Sequence, residues 1–423
     1  MSKIAVIGTG YVGLTTGACF AHLGHHVVCA DIDADKVERL RRGEIPILEA
    51  GLEELVRAAT DADRLSFVVG AASAVGTCEF AVLCLPTPQG PDGSADLSYI
   101  EEVAREIAPL LTSEAIVVNK STVPVGSTRL VERILGRDDV MVVSNPEFLR
   151  EGSAVHDFLH PDRIVIGSDD HKAAIRVASL FEGIQAPLIV SDPASAEMIK
   201  YASNSFLAAK VSFVNAIANV CEAVGADVRD VILGMGYDKR IGFEFLKPGP
   251  GWGGSCFPKD MLALIRIAED AGYDFGVLEA VVQANRDQYD RVAAKVARAA
   301  GGSLAGSTIA VWGLTFKART DDTRHSPALE VIARLLSGGA RVQAFDPAVR
   351  HDLEGIDVRK DAYAACEGAT VLAVLTERDE FRWLDFDKVA AVMARPAIVD
   401  ARNLLDPTAL RRRGFSYEGV GRA

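Results

Sequence analysis

The 423-residue chain lacks several features that mark particular classes of protein. Its seven cysteines are scattered and show no metal-ligand spacing, which argues against a disulfide framework or a zinc site and favours a reducing compartment. A formal net charge of −13 argues against a general binding surface for nucleic acid or for anionic membranes. No signal-peptide pattern follows the first methionine, and we find no apolar stretch of membrane-spanning length. We therefore expect a cytoplasmic protein without a metal centre.

The sequence does contain short apolar runs that alternate with helix-length segments. Hydrophobic residues make up 49% of the chain and charged residues 24%, as in globular enzymes and binding proteins, and the length predicts two or three domains. Over roughly the first 190 residues, this alternation predicts a doubly wound parallel sheet. The runs typical of buried strands lie at 3–8, 26–31, 79–85, 115–119, 140–143, 163–167 and 187–190.

The pattern changes at Pro193. No proline or glycine interrupts residues 194–224, which predicts one long helix whose apolar outer surface suits a subunit interface. Residues 258–300 are also mostly helical, and strand-like runs resume at 308–314, 341–346, 370–375 and 397–400. The predicted fold class is α/β, with two Rossmann-like doubly wound parallel-sheet domains joined by a long central helix and a helical middle region. The predicted domains are 1–192, 193–300 and 301–423.

A glycine-rich turn joins the first predicted strand to the next helix. In Gly8-Thr9-Gly10-Tyr11-Val12-Gly13, the first glycine permits a tight turn, the second lets a pyrophosphate approach the backbone, and the third allows close packing of helix on strand. Asp31 ends the second strand, where its carboxylate would bind an adenosine ribose and repel a 2′-phosphate. These residues predict a site for NAD in preference to NADP.

Three further segments follow strands, at the edge where open α/β sheets bind ligands. Cys84-Leu85-Pro86-Thr87-Pro88 and Lys120-Ser121-Thr122-Val123-Pro124 are two of them, and either one alone also fits an ordinary proline-rich turn. The third runs from Asn145 to Gly152. Its two glutamates, Glu147 and Glu151, are four residues apart and could form a solvated helix face, yet Glu147 directly follows the strand, which is a site-facing position.

Residues 253–260 combine a glycine turn, a cysteine and a helix start, in the order Gly253-Gly254-Ser255-Cys256-Phe257-Pro258-Lys259-Asp260. A thiol at a helix N-terminus beside a lysine is readily ionised, and Asp260 lies one turn further along, where it could act on water. The cluster indicates covalent catalysis, although a small buried cysteine that caps a helix has the same pattern. On the long helix, Lys200 and Asn204 are one turn apart and could bind a sugar hydroxyl or simply lie in solvent.

The second α/β unit opens with Trp312-Gly313-Leu314-Thr315-Phe316-Lys317, which lacks the three-glycine spacing. A second dinucleotide is therefore not expected there. Lys317, Arg319 and Arg324 instead place cations near a strand end, which suits phosphates. Arg402 follows the last predicted strand at the same edge.

From residue 3 to about residue 405, the chain resembles the UDP-glucose/GDP-mannose dehydrogenase family in its motifs and their order. Besides the glycine turn, the resemblance rests on Ser-Thr-Val-Pro-Val-Gly at 121–126, Asn-Pro-Glu-Phe-Leu-Arg-Glu-Gly at 145–152, Lys200 with Asn204, Arg240-Ile241-Gly242, and the run from Phe245 to Cys256.

The resemblance implies two successive NAD-dependent oxidations that convert the C6 alcohol of a nucleotide sugar to a carboxylate. We expect UDP-glucose as the substrate and UDP-glucuronate as the product. By the same resemblance, Lys200 and Asn204 support the alkoxide from which the first hydride leaves. Cys256 then adds to the aldehyde, the thiohemiacetal is oxidised to a thioester, and water assisted by Asp260 releases the acid.

The resemblance also implies the remaining site residues. Glu147 and Thr122 assist proton transfer or place the water. The implied cofactor contacts are Gly8, Gly10, Tyr11, Val12, Gly13, Asp31, Lys36, Leu85, Pro86, Thr87, Ser121, Thr122, Glu151, Lys259 and Arg324. The implied substrate contacts are Glu147, Phe148, Leu149, Arg150, Glu151, Lys200, Asn204, Arg240, Phe245, Leu246, Lys247, Gly251, Gly253, Phe257, Phe316, Lys317 and Arg402. Arg240 would reach the substrate of another subunit in a homodimer or higher homo-oligomer.

Two positions depart from the usual family pattern: Trp252 stands where Phe or Tyr is common, and His325 where Glu is frequent. Neither removes a group that the chemistry needs. One alternative is the same reaction on GDP-mannose or UDP-N-acetylmannosamine. A two-electron hydroxyacid dehydrogenase would leave Cys256 without a role, and a cofactor-binding sensor or scaffold would leave the thiol, lysine and carboxylate unexplained.

Overall fold

The computed structural model describes residues 1–422 and divides into two compact units. Unit 1 comprises residues 1–203 and 262–273, and unit 2 comprises residues 204–261 and the chain from Asp274 onward. The division falls inside two helices. The three-domain division at 192 and 300 stays a prediction.

Unit 1 is built on an eight-stranded sheet. Its strands are β1 (Lys3–Ile7), β2 (His26–Asp31), β3 (Leu65–Val69), β4 (Phe80–Leu83), β5 (Ile116–Asn119), β6 (Met141–Ser144), β7 (Ile164–Gly167) and β8 (Leu188–Ser191). They lie in the order β3-β2-β1-β4-β5-β6-β7-β8. Neighbours pair in parallel except β6 and β7, which are antiparallel.

Helices cover both faces of this sheet. They are α1 (Tyr11–His22), α2 (Ala34–Arg41), α3 (Leu52–Asp61), α4 (Ala72–Val75), α5 (Ser98–Ile107), α6 (Ser127–Leu135), α7 (Ala154–Leu159) and α8 (His171–Ala178), with a short 3-10 helix at Ser179–Phe181. One core contains Leu14, Phe20 and Val56, and the other contains Ile100, Ile107 and Val131. Because the strands run outward from β1 in both directions, the carboxyl ends of β1 and β4 border the crevice where such sheets bind ligands.

Four helices follow β8: α9 (Pro193–Val224), α10 (Val228–Gly236), α11 (Phe257–Asp270) and α12 (Gly276–Ala299). The bounds of α9 confirm the predicted long helix. We expected no apolar stretch long enough to span a membrane, and this expectation was wrong. By length and composition alone, α9 is long and apolar enough, since an 18-residue window of it has a mean hydropathy of 1.3. A helix packed in protein passes the same test. Two of its charges, on Glu197 and Lys200, are buried against protein partners.

Unit 2 contains a six-stranded sheet with the strands β9 (Thr308–Trp312), β10 (Arg341–Phe345), β11 (Ile356–Val358), β12 (Val371–Val374), β13 (Ala397–Asp400) and β14 (Ser416–Gly419). Their order is β11-β10-β9-β12-β13-β14, and all pairs are parallel. Its further helices are α13 (Pro327–Ser337), α14 (Ala362–Cys366), α15 (Phe386–Val392) and α16 (Pro407–Arg412), with a 3-10 helix at Asp379–Trp383. Apolar cores on both faces confirm the predicted fold class. The sequence-based strand assignments omitted β3, β11 and β14.

Candidate active site

The loop after β1 leaves room for a ligand at one of its three glycines. A Cβ at Gly13 would lie 1.9 Å from the carbonyl oxygen of Gly8, and a Cβ at Gly8 would lie 2.4 Å from that of Cys84. At Gly10, by contrast, no atom comes within 4 Å of the Cβ position. Gly10 is the N-cap of α1, ahead of the partly buried Tyr11 and Val12, so its backbone can approach an anion closely. This geometry fits the pyrophosphate of a dinucleotide.

Asp31, at the end of β2, is held as an anion beside this loop. Its Oδ2 accepts hydrogen bonds from the backbone N–H of Thr9 at 2.9 Å and from Lys36 Nζ at 3.0 Å. Burial alone would raise the pKa of Asp31, but the hydrogen bonds from Thr9, Asp33 and Lys36 lower it to about 2. An ionised carboxylate here can accept from ribose hydroxyls and repels a 2′-phosphate.

Hydrogen bonds join the segments that follow β4 and β5. Ser121 Oγ accepts from the backbone N–H of Leu85 at 2.8 Å, and Thr87 Oγ1 donates to the carbonyl oxygen of Thr122 at 2.8 Å. Pro86 between them is exposed. The structure thus brings together the predicted cofactor contacts of these two loops, next to the glycine turn.

Glu147 and Lys200 form a buried ion pair in unit 1. Each side chain is 5% exposed, and Lys200 Nζ donates to Glu147 Oε1 at 2.9 Å. The other oxygen, Oε2, accepts from the backbone N–H of Leu149 at 2.6 Å. Burial alone would raise the pKa of Glu147, but the Lys200 ammonium and the Leu149 N–H outweigh it and lower the pKa. Glu147 is therefore an ionised acceptor that fixes the direction of the Lys200 ammonium.

The loop that carries Glu147 is tied to a distant acid. Glu49 is 7% exposed, and its two oxygens accept from the backbone N–H groups of Gly152 at 2.7 Å and Ala154 at 2.8 Å. Arg150 donates to Asp157 at 2.9 and 2.6 Å, so this predicted substrate contact already binds a carboxylate. Glu151 is partly buried between these two anchors, and Lys200 Nζ lies 5.4 Å from the Phe148 ring centroid.

Cys256 lies at the start of α11, in unit 2. It is the residue before Phe257, its carbonyl oxygen accepts from the backbone N–H of Asp260 at 3.0 Å, and it is partly exposed. The hydroxyl of Ser255 lies 3.6 Å from its sulfur, within hydrogen-bonding distance. The sulfur is thus placed at the positive end of a helix, as the sequence predicts.

Both oxygens of Asp260 are engaged in the same cluster. Asp260 is fully buried, its Oδ1 accepts from Lys259 Nζ at 2.7 Å, and its Oδ2 accepts from Asn204 Nδ2 at 2.6 Å. The charge of Lys259 is therefore directed at the carboxylate one turn from Cys256. Each carboxylate oxygen retains acceptor capacity for a further donor such as water.

The glycine run before Cys256 is shaped by close backbone contacts within unit 2. A Cβ at Gly253 would lie 1.9 Å from the carbonyl oxygen of His325. Trp252 is fixed by Asn285, which accepts from its N–H at 2.8 Å and donates to its carbonyl oxygen at 2.9 Å. Its indole N–H donates to Ser212 Oγ at 2.9 Å, which explains how this chain accommodates Trp at the position.

Several predicted substrate contacts meet near the end of β13. Arg402 donates to the carbonyl oxygens of Leu375 at 2.9 Å and Phe316 at 3.2 Å, and it pairs with Glu377 at 3.0 Å. Lys317 Nζ lies 5.3 Å from the Phe316 ring centroid. These residues form a partly exposed cationic group, as expected of a phosphate site.

The remaining predicted cofactor and substrate contacts in unit 2 differ in their partners and in their exposure. Arg324 forms a two-pronged pair with Asp322, and Arg240, whose side chain is 89% exposed, pairs with Asp238. The rings of Phe245 and Phe257 lie 6.3 Å apart. Three more substrate contacts differ in exposure: Leu246 and Gly251 are buried, whereas Lys247 is exposed.

Sequence reasoning did not predict the roles of Glu49, Asn285 or Lys120. Each side chain is buried and polar, and each binds a partner at least 25 residues away. A polar residue of this kind gives no local signal of its role, although Lys120 is the first residue of a predicted site segment. Within residues 1–422, no group of three or more His, Cys, Asp or Glu side chains is arranged to hold a metal ion.

The chain is similar to known proteins over almost its whole length. The chain matches the UDP-glucose/GDP-mannose dehydrogenase family in its NAD binding domain (residues 2–185), its central domain (194–287) and its UDP binding domain (310–407). A UDP-glucose 6-dehydrogenase of Rhizobium meliloti (strain 1021) is 46% identical over 434 residues, which cover 99% of each chain.

Solved structures are similar over the whole chain. A UDP-glucose dehydrogenase from Pyrobaculum islandicum matches with a TM-score of 0.92 and 39% identity, covering 100% of this chain and 98% of that chain. A UDP-D-ManNAc dehydrogenase from Pyrococcus horikoshii matches with a TM-score of 0.89 and 28% identity, covering 99% of each.

Proposed function

The chain belongs to the UDP-glucose/GDP-mannose dehydrogenase family and is an NAD-dependent oxidoreductase, and we propose that it oxidises UDP-glucose at C6 to UDP-glucuronate. The observation that carries the proposal is the cluster at the start of α11. A partly exposed thiol stands one turn before a buried carboxylate that is held by Lys259 and Asn204. A two-electron dehydrogenase has no use for that thiol, whereas a four-electron oxidation needs a group that traps the aldehyde.

The first oxidation uses the amine and amide on α9. When bound, NAD accepts a hydride in each of the two oxidations, so two NAD⁺ are consumed per sugar. The ammonium of Lys200 is fixed by Glu147 and donates toward the oxygen on C6 as negative charge develops there, while the proton of the C6 hydroxyl leaves to solvent water. Asn204, oriented by Asp260, supplies a second contact to that oxygen.

The second oxidation passes through a covalent bond to Cys256. The sulfur adds to the aldehyde carbon to give a thiohemiacetal, and the two-electron oxidation of this adduct leaves a thioester. Water then attacks the thioester carbonyl, and the C–S bond breaks to release the carboxylate and the thiol. Asp260 accepts the proton of that water, while Glu147 and Thr122 assist in placing it.

Stoichiometry tests the reaction directly. We expect two NADH per UDP-glucose from the wild type, and no complete turnover from Cys256→Ser, which should still bind NAD and UDP-glucose. Cys78→Ser is the matched control, because Cys78 lies just before β4 at the opposite end of the sheet strands, and burial raises its pKa to about 11. One NADH per sugar, or near-normal rates in Cys256→Ser, would contradict the covalent step. Faster turnover of GDP-mannose or UDP-N-acetylmannosamine than of UDP-glucose would refute the assignment of UDP-glucose as the substrate.

We further propose a homodimer or higher homo-oligomer that forms through α9. Phe206, Phe213 and Val220 recur every seven residues along this helix and are 68%, 55% and 55% exposed. Burying each side chain would contribute about 1.5–3 kcal/mol. The exposed Arg240 is then available to a second subunit's substrate. In sedimentation experiments we expect the Phe206→Glu/Phe213→Glu variant to be a monomer and the wild type to be larger. A wild type that is monomeric at micromolar concentration would refute the proposed oligomer.

We also propose a cytoplasmic location. None of the seven cysteines, all of them within residues 1–422, forms a disulfide, which is the state expected in a reducing compartment.

A further inference from the structure

Lys120 is a buried lysine that the proposed chemistry does not use. It follows β5, is 4% exposed, and its Nζ donates to Asn145 Oδ1 at 3.1 Å. The same nitrogen lies 5.7 and 5.9 Å from the ring centroids of Phe158 and Phe181. An ammonium in such surroundings is costly, since burial disfavours the charged form and lowers its pKa. A residue that costs stability in this way calls for a role other than packing.

The hydrogen-bond partner of Lys120 sits at the base of the loop that bears Glu147. Asn145 donates through Nδ2 to the carbonyl oxygen of Val165 at 2.8 Å, and its backbone N–H donates to the carbonyl oxygen of Asn119 at 2.9 Å. These bonds leave Asn145 one orientation, with Oδ1 toward Lys120. Glu147 follows two residues later, so the position of its carboxylate depends on this anchor.

The charges around Lys120 connect it to the catalytic ion pair. The titratable groups that face it are Cys84 after β4, Glu147 after β6, Lys200 on α9 and Cys19 on α1. One carboxylate therefore lies under the influence of two ammoniums, of which only Lys200 touches it. Protonation of Glu147 would remove the acceptor that orients Lys200. A second positive charge behind the pair opposes that protonation.

We propose that Lys120 is a positioning residue for the oxidation: its buried ammonium fixes the end of β6 through Asn145 and keeps Glu147 as the ionised partner of Lys200. The inference rests on the proposed function, in which Lys200 acts on the C6 oxygen. Lys120 touches neither the substrate nor the cofactor in this scheme and acts through Glu147.

Two variants separate its charge from its hydrogen bond. Lys120→Met removes both, whereas Lys120→Gln keeps an N–H that can reach Asn145. The control is Lys172→Met, which removes an exposed lysine on α8. With UDP-glucose and NAD, we expect kcat of Lys120→Met to fall by about tenfold to a hundredfold, with little change in KM. In both Lys120 variants the acidic limb of the kcat–pH profile should move to higher pH. The thermal stability of Lys120→Gln should be unchanged or higher because a buried charge is gone, whereas Lys120→Met also leaves Asn145 Oδ1 without its donor.

A second measurement does not depend on turnover. Infrared difference titration against Glu147→Gln reports the protonated carboxyl of Glu147 directly, and its appearance should shift to higher pH in both Lys120 variants. Failure of the wild type to oxidise any nucleotide sugar would refute the proposed function while leaving this titration to decide the role of Lys120. An unmoved Glu147 titration, or unchanged kcat and pH profile in an active enzyme, would overturn the inference. A loss of stability with an unmoved acidic limb would also overturn it, because it would identify a purely structural lysine.

Discussion

Two alanine substitutions in the glycine turn should separate the folding role of that turn from its cofactor role. A Cβ at Gly13 would lie 1.9 Å from the Gly8 carbonyl oxygen and 2.9 Å from its carbonyl carbon. Because both atoms belong to the backbone, α1 must move away from β1, and overpacking of this kind costs about 1–3 kcal/mol or more. Gly10 has φ −71° and ψ −169°, which alanine also adopts, with nothing within 4 Å. Gly10→Ala should therefore be neutral or stabilising by about 0.4–1 kcal/mol.

The expected affinities for cofactor follow a different order. In Gly10→Ala the new methyl group occupies the space through which a pyrophosphate approaches the backbone, so NADH affinity should fall by about tenfold or more, equivalent to about 1.4 kcal/mol. Urea denaturation followed by circular dichroism gives stability, and NADH fluorescence titration gives affinity. Normal NADH binding by Gly10→Ala, or a wild-type urea midpoint for Gly13→Ala, would refute the reasoning from the geometry of this loop.

Two other predictions concern buried or partly buried acids. Since the pKa of Asp31 falls from 3.8 to about 2 on folding, its contribution to stability is complete above pH 3.8 and declines as the pH falls toward 2. Urea titrations at pH 5 and pH 3 should show wild type losing about 1 kcal/mol more than Asp31→Asn, and parallel losses would count against the assignment. Glu49→Gln replaces an acceptor by an N–H donor opposite a backbone N–H, so it should cost about 1–3 kcal/mol and raise KM for UDP-glucose. The exposed Glu53→Gln should change neither, and an equal effect of both substitutions would exclude a specific anchoring role for Glu49.

The elements that the sequence predicted well are those with a continuous local signal. The helix α9 was predicted to its last residue because no proline or glycine interrupts it before Gly225. β1 was found because four successive residues, Ile4 to Ile7, are apolar and buried on both faces. β11 spans only three residues, and β14, with the sequence Ser-Tyr-Glu-Gly, contains no run of apolar residues. Such edge strands are recognised only once their neighbour offers a backbone to pair with.

The direction of β7 is a further feature that local pattern could not supply. Its sequence, Ile-Val-Ile-Gly, is as apolar as that of the parallel strands, yet it pairs antiparallel with β6. Strand direction depends on how the connecting segment crosses the sheet. Here that segment, residues 145–163, carries Glu147 and α7 and returns the chain to the same sheet edge with reversed direction.

Some residues of the candidate site could be placed together from neighbouring positions in the sequence, whereas others are brought together only by the fold. Cys256 and Asp260 could be placed together from sequence because four positions along a helix is one turn, and the structure shows Cys256 accepting from the N–H of Asp260. The ammonium that contacts Asp260 is also local, since Lys259 is adjacent to it. Asn204, by contrast, reaches Asp260 across 56 residues of sequence, and only the resemblance to a family brought it into the site.

The burial of Lys120 could not be predicted from the sequence, and the reason is physical. Lys120 opens a predicted site segment, but the local sequence does not show that it is buried, because its burial is set by Phe158, Phe181 and Asn145, which come from three other parts of the chain. A lysine is rarely buried without a charge partner, so the prior for solvent exposure is strong. Its position near Glu147 and Lys200 therefore carries more information than the motif that follows it. The free-energy cost of burying the Lys120 ammonium is explained if catalysis requires the Glu147 carboxylate to stay ionised away from water.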